Sequence, residues 1–256
     1  MTTEQGDTEA DSIGVSTTRK TFALLEALKE TEGVTIADLT QRTDLPKSTV
    51  YRHLQTLTEV GYVIERDGRY YVGFRFVELG EQARSRRMGY TAAKRAVFEL
   101  GQETDELAVF VVEEDNEAVY VHRYGSLSNT MIGQRRPLHS MASGKVILAE
   151  WDDESVHEYV RDVGLEALSP NTITDSDALF DELESIREQG YAVNDQELMD
   201  GLRGVAVPVY TPDGDFLGGL AAFGPTSRLT DAHVHDDLLT RLRDKAGEIK
   251  VTLAYS

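Results

Sequence analysis

A chain of 256 residues with 40% hydrophobic residues, 8% aromatic residues and no cysteine holds enough apolar material for one large core or two modest ones. The missing thiols exclude a disulfide framework, a cysteine-ligated metal site and a thiol nucleophile, and no apolar run approaches the roughly 20 residues of a membrane-spanning helix. The formal net charge of −19 excludes a uniformly basic, nucleic-acid-coating surface, so the placement of the charges matters more than their sum.

That placement is uneven. Residues 1–18 hold four acids and no Lys or Arg, residues 19–88 hold 12 basic against 10 acidic residues, and residues 89–256 hold 14 against 31. The middle stretch, which escapes the general acidity, is a candidate for a separate task. Elsewhere the acids are spread along the chain, and only seven of the 26 basic residues are lysines. Such hydration and self-repulsion predict a protein dressed for a concentrated ionic cytoplasm; an acidic protein of an ordinary cytoplasm is the bland alternative. Met1-Thr2-Thr3-Glu4 lacks the basic and apolar regions of a signal peptide, so a soluble cytoplasmic chain is expected. Residues 1–16 read as a disordered acidic tail.

From Thr21 to Glu30 the apolar residues Phe22, Leu25 and Leu28 recur at spacings of three, which predicts an amphipathic helix ending near Gly33. Thr35 and Asp38 form a capping pair at the start of a short second helix. Thr43-Asp44-Leu45-Pro46 interrupts it, because proline is accepted in the first turn of a new helix and not deep in an old one. A third helix, from about Lys47 to Glu59, has Val50, Leu54 and Leu57 on its packed side. Around the rest of its circumference stand Lys47, Ser48, Thr49, Tyr51, Arg52 and Gln55. Arg and Gln reach base edges with two hydrogen bonds, and Lys, Ser and Thr hold phosphates; an ordinary solvated helix face would show similar residues. Gly61–Glu65 and Arg69–Gly73 are β-forming runs on either side of Arg66-Asp67-Gly68, whose Asp-Gly pair favours a tight hairpin. Helix, helix, turn, polar-faced helix and hairpin, in that order over residues 17–75, is the plan of a winged helix-turn-helix. Arg66 and Arg69 are candidates for the minor groove or its phosphates.

Residues 76–101 read as a connecting helix region, with Ala92, Ala93 and Ala96 small enough for close helix approach. The remainder, 102–256, alternates strand pairs with helices: Leu107–Glu113 with Ala118–Tyr124, then Val205–Tyr210 with Phe216–Phe223, and helical patterns at 142–149, 153–161, 176–189 and 230–254. This predicts an α+β domain with a mostly antiparallel sheet. Gly144-Lys145 lacks the glycine and hydroxyl spacing of a phosphate-binding loop. The start of that helix, Ala142, Ser143 and Gly144, is instead a place where backbone N–H groups can hold an acceptor. Asp195 and Glu197 alternate, so a continuing strand would put both carboxylates on one face. The six histidines are scattered apart from His233 and His235, which diverge on a helix. No metal, cofactor or catalytic constellation is expected.

Leu45-Pro46-Lys47-Ser48-Thr49-Val50-Tyr51-Arg52-His53-Leu54, followed by Leu57 and Gly61-Tyr62-Val63, resembles the recognition-helix signature of IclR-type transcriptional regulators. Pro137-Leu138-His139, Ala142–Lys145, Gly190-Tyr191-Ala192, Asp195-Gln196-Glu197, Gly201–Pro208 and Gly224-Pro225 through Arg228 resemble, in order, that family's ligand-binding domain. The resemblance covers about residues 17–255 and implies a GAF-like C-terminal fold. It also implies a homodimer or dimer of dimers, double-stranded operator DNA as one partner and a small-molecule effector as the other. Together with the acid excess it suggests a salt-loving archaeal source.

Carried over by position, the family pattern puts Ala142 and Ser143 on the floor of the effector pocket and makes Asp195 a polar contact. Where relatives similar to the acetate-operon regulator carry a cysteine and two serines, this chain has Gly204, Ala221 and Phe223. Losing three polar groups disfavours a two- or three-carbon oxoacid, whose charge needs donors. A sugar or sugar acid is the expectation on this reading, with an aromatic acid or a small oxoacid as the alternative. A protein-interaction module built on the winged unit is the rival of another class.

Overall fold

The computed structural model describes residues 14–29, 33–86, 88–125 and 130–255; most of the expected acidic tail lies outside them. The chain divides into two compact units, Met1–Ala83 and Arg84–Ser256.

In the first unit, helices α1 (Ser16–Lys29), α2 (Ile36–Thr43) and α3 (Lys47–Glu59) precede strands β1 (Val63–Arg66) and β2 (Arg69–Val72). The capping pair forms in both directions: Thr35 accepts from the Asp38 backbone N–H, and the Asp38 carboxylate accepts from the Thr35 backbone N–H. Asp44 takes a left-handed conformation after α2, and Pro46 stands at the N-cap of α3, so the turn is built from one strained residue and one residue with fixed φ. Asp67 and Gly68 both have positive φ, at 51° and 75°, the geometry that a two-residue hairpin turn requires. Leu24, Leu28, Leu39, Val50, Leu54, Leu57 and Val63 close one core. The inner face of α1 is therefore set by Leu24 and Leu28, while Phe22 is 57% exposed, outside the face that spacing alone assigns to it.

The connecting region is two helices, α4 (Arg75–Ser85) and α5 (Met88–Thr104). In the second unit β3 (Leu107–Glu114), β4 (Glu117–Tyr124), β5 (Arg135–Pro137), β6 (Ala192–Asp195), β7 (Leu202–Tyr210) and β8 (Phe216–Pro225) form one sheet. Its order is β5-β4-β3-β8-β7-β6, and every pairing is antiparallel. Both faces are covered, which explains the near-continuous apolar run of β3. Ala108, Phe110 and Val112 meet α5 and the C-terminal helix α10 (Leu239–Ala254), reached through α9 (Asp231–His233) and a π-helical turn. Leu107, Val109 and Val111 meet a 3-10 turn (Leu138–Ser140), α6 (Ala142–Ala149) and α8 (Ser176–Gln189). Helix α7 (Asp153–Asp162) is capped by Asp152. Ala93 and Ala96 are buried in their own unit's core, so the small residues of α5 serve its approach to the sheet and α10. Among the described residues no helix is long and apolar enough to cross a membrane.

Candidate functional site

At about 100° per residue, Lys47, Tyr51, Gln55, Ser48 and Arg52 occupy a continuous arc of about 140° on α3. All five are exposed, whereas Val50, Leu54 and Leu57 on the other side are buried. Thr49 stands half-buried at the margin. Among the described residues none of the five side chains makes a hydrogen bond within the chain. The fold therefore holds their backbone and leaves their donors unspent, as direct readout of a major groove demands. His53, next to Arg52, turns inward, with Nδ1 2.8 Å from Thr21 Oγ1; burial, then Arg52 and Lys20, lowers its pKa. At the wing Arg66 is exposed, but Arg69 donates to the Gly33 carbonyl at 3.1 Å and ties the hairpin to the segment just before α2.

The second unit contains a cavity of about 230 Å³ lined by Tyr120, Thr130, Gln134, Arg136, Leu168, Leu198, Met199 and Leu202. Neighbouring arginines on β5 have opposite fates because strand side chains alternate. Arg135 is bound by Glu114 and Glu117. Arg136 pairs across the ladder with Ala118, so it shares the inner face with Ala118 and Tyr120, and among the described residues it meets no carboxylate. Burial pushes the Tyr120 phenol up to about 12, against the opposing charge of Arg136; it is a neutral hydroxyl at ordinary pH. An unneutralised guanidinium beside a hydroxyl, walled by three leucines and a methionine, has the chemistry to hold a carboxylate on an apolar body.

The effector residues expected from the sequence lie elsewhere in this unit. Ala142, Ser143 and Gly144 are buried at the start of α6, where a Cβ on Gly144 would lie 2.1 Å from the Leu138 carbonyl oxygen. The Phe223 ring covers Gly204, leaving 2.2 Å for a Cβ there, and Ala221 is fully buried. Close packing accounts for Gly144, Gly204 and Ala221, whereas Ser143 Oγ is buried with no hydrogen-bond partner among the described residues. Asp195 is exposed, and its carboxylate accepts from Gln196 Nε2. Asp195 and Glu197 do not share a face: β6 ends at Asp195, Gln196 has φ 65°, and Glu197 is buried. Sequence reasoning missed Arg136, Tyr120 and the loop residues Leu168, Leu198 and Met199. Only the Arg135-Arg136 pair before Pro137 carried a signal, since alternation must send one of two adjacent charges inward. Among the described residues no group of three or more His, Cys, Asp or Glu is placed to hold a metal ion.

Comparison with known proteins agrees with this division. The family described as "IclR helix-turn-helix domain" matches residues 17–67, and "Bacterial transcriptional regulator IclR C-terminal" matches residues 85–251. The chain is 34% identical over 255 residues to the HTH-type transcriptional regulator KdgR of Escherichia coli, covering 97% of this chain and 96% of that one. It is similar to the crystal structure of the Thermotoga maritima IclR, with a TM-score of 0.79, 29% identity and coverage of 93% of this chain and 98% of that one. It is also similar to the inducer-binding domain of the PobR transcription factor from Acinetobacter, a double mutant in complex with 3-hydroxybenzoic acid. That match has a TM-score of 0.58 and 28% identity, and covers 62% of this chain and 96% of that one. The chain belongs to the IclR family of transcriptional regulators, and is a DNA-binding protein that responds to a small molecule.

Proposed function

We propose that this regulator reads a two-part operator as a homodimer and is controlled by a compact carboxylic acid with an aromatic body. The observation that carries the ligand reading is Arg136, a guanidinium with no carboxylate partner among the described residues, beside the Tyr120 hydroxyl in an apolar cavity. At about 230 Å³ the space suits a single-ring acid. The similarity to an inducer-binding domain that holds 3-hydroxybenzoic acid supports the same class. The sugar expectation rested on the helix start at Ala142–Gly144, on Asp195 and on the apolar replacements Ala221 and Phe223; Asp195 is exposed and none of these residues lines this cavity, which supports the aromatic-acid alternative as the better reading.

The test is a thermal-shift screen in molar salt with benzoate, 3-hydroxybenzoate, 4-hydroxybenzoate, pyruvate, glyoxylate and gluconate. A ligand that binds only the folded state raises its stability by mass action. Aromatic acids should stabilise the wild type and lose that effect in Arg136→Gln. Stabilisation by gluconate that survives Arg136→Gln would return the ligand to the sugar class.

For the DNA, Arg52 and Gln55 are assigned to base edges, and Lys47, Ser48 and Thr49 to phosphates, with Tyr51 between them and Arg66 at the wing. Two recognition helices must reach major grooves about 34–36 Å apart. Phe22, Phe74, Val77 and Leu79 are exposed by 57%, 89%, 57% and 48%, and α4 buries none of its residues within one chain, which supports apolar contacts with a second copy. A monomeric mass by light scattering at micromolar protein in molar salt would remove the dimer. The acid excess supports a salt-rich cytoplasmic setting and a salt-loving source.

A further inference from the structure

Two loops wall the cavity. One, residues 165–172, contributes Leu168, and the other, residues 196–201, contributes Leu198 and Met199. Neither is held by a sheet ladder over its whole length, so its position depends on what anchors it. The anchors converge on Glu197. Its backbone carbonyl accepts from Thr172 Oγ1 at 2.6 Å and from Ser169 Oγ at 3.1 Å, while Thr172 Oγ1 itself accepts from the Leu168 and Ser169 backbone N–H groups. Ser169 Oγ also reaches the Gln196 carbonyl at 2.6 Å, and Asn171 Nδ2 the Asp195 carbonyl at 3.0 Å. The two loops are thereby sewn to each other.

Besides the bonds from His139 Nε2 to the Glu166 carbonyl and from the Thr226 N–H to the Gly201 carbonyl, the Glu197 side chain ties the pair to the body of the domain. Its Oε1 accepts from Lys145 Nζ at 2.8 Å. Lys145, on α6, is 1% exposed and uses all three of its donors: the other two go to Glu182 Oε1 on α8 at 2.7 Å and to the Val193 carbonyl on β6 at 2.8 Å. One ammonium thus joins two helices, an edge strand and the doubly sewn loop. A buried ion pair is a poor means of gaining stability, because desolvation takes back most of the attraction. Unlike an apolar contact, it is directional: an ammonium with three partners fixes one position for each of them.

We propose that Lys145 and Glu197 are positioning residues for the ligand cavity, forming a latch that sets where the walls bearing Leu168, Leu198 and Met199 stand. The latch also accounts for a lysine that follows glycine in a motif unable to bind phosphate, and for a carboxylate withdrawn from the strand face that alternation assigns it. The proposal rests on the reading of this cavity as the effector site, and its first measurement is independent of that reading.

The experiment is hydrogen exchange on the full-length protein, wild type against Lys145→Met/Glu197→Leu, in which both charges leave together so that neither is stranded, and against Glu197→Gln, which keeps an acceptor for Lys145. In the double variant, peptides covering 165–172 and 195–202 should exchange at least about tenfold faster while β3 and β8 keep their protection. Glu197→Gln should show the same pattern more weakly, and it carries the test if the double variant does not fold. Unchanged loop exchange in a folded variant overturns the latch. The second measurement is calorimetric titration with 3-hydroxybenzoate, in which affinity should fall at least about tenfold in the double variant. Faster loops with unchanged affinity would overturn the positioning role. A wild type that binds no aromatic acid would overturn the ligand class alone, and the exchange result would still decide the latch.

Discussion

The two units use polar side chains in opposite ways. On α3 the chemistry-bearing groups point outward from a helix whose other side is apolar core, and among the described residues they bond to nothing else in the chain. In the second unit the polar groups near the cavity are buried and spoken for: Lys145 by three acceptors, Glu197 by Lys145, and the loop carbonyls by Ser169, Thr172 and Asn171. Among the described residues Arg136, the Tyr120 hydroxyl and the second carboxylate oxygen of Glu197, Oε2, are exceptions. In the first unit function and stability are therefore separable residue by residue. In the second they share the same bonds, as expected where a ligand must change the shape of what holds it.

The largest expected effects test that separation within one helix. Leu54→Ala removes a fully buried side chain from the first core and should cost about 2–5 kcal/mol, read as a lowered urea midpoint with an unchanged slope. Arg52→Ala, two residues away and exposed, should leave stability within about 0.5 kcal/mol. Its operator affinity should fall by about 1–3 kcal/mol, measured by fluorescence anisotropy. Equal weakening on operator and random DNA would reassign Arg52 to a phosphate, and a loss of stability matching the loss of binding would break the separation itself. In the second unit Gly144→Ala should cost about 1–3 kcal/mol or more, because its Cβ meets the Leu138 carbonyl; near-neutrality would mean that the helix start has room for a ligand after all.

Charge sharpens the contrast further. Residues 19–88 are nearly balanced at 12 basic to 10 acidic, while residues 89–256 stand at 14 to 31. Self-repulsion of like charge is screened by salt. Moving from low to molar KCl should therefore raise the melting temperature of the second unit more than that of the first, followed by calorimetry as two transitions. DNA affinity should fall over the same range as counterion release weakens, with Lys47→Met reducing the slope by about one phosphate contact. Equal shifts in both units would detach the acid excess from salt adaptation.

The contrast also explains which parts of the molecule are legible in its sequence. The recognition surface is local: a period of 3.6, a proline at the start and an Asp-Gly turn after it are all written within thirty residues, and α3 runs from Lys47 to Glu59 as the pattern requires. The antiparallel sheet was legible for the same reason, since each hairpin is written in adjacent runs. The cavity is not local. Arg136 comes from a three-residue strand too short to show a period, and its partners come from β4, from the 165–172 loop and from the turn after β6. Packing between strands is not local either: Gly204 is the space that the Phe223 ring of the neighbouring strand fills.

The smallest expected effect concerns a buried histidine in the second unit. His139 Nε2 lies 3.0 Å from the Glu166 carbonyl, which only accepts, so the proton is on Nε2 and Nδ1 accepts from the Tyr159 hydroxyl at 2.9 Å. Burial lowers its pKa, with the bond to Glu166 opposing. Because the folded value lies below the unfolded value of about 6.5, the unfolded chain binds the extra proton first. Stability is then fully present above about pH 6.5 and is lost as pH falls through that value towards the folded pKa. The urea midpoint should accordingly drop between pH 7.5 and 5.5, and His139→Gln should drop less, the difference between the two slopes isolating this residue from His53, whose pKa is lowered as well. Parallel slopes would mean that His139 takes up its proton without disturbing Tyr159. A steeper wild-type slope would extend the contrast between the units, since a neutral imidazole bonded on both sides is a polar group that the second unit can use only by building it into the fold.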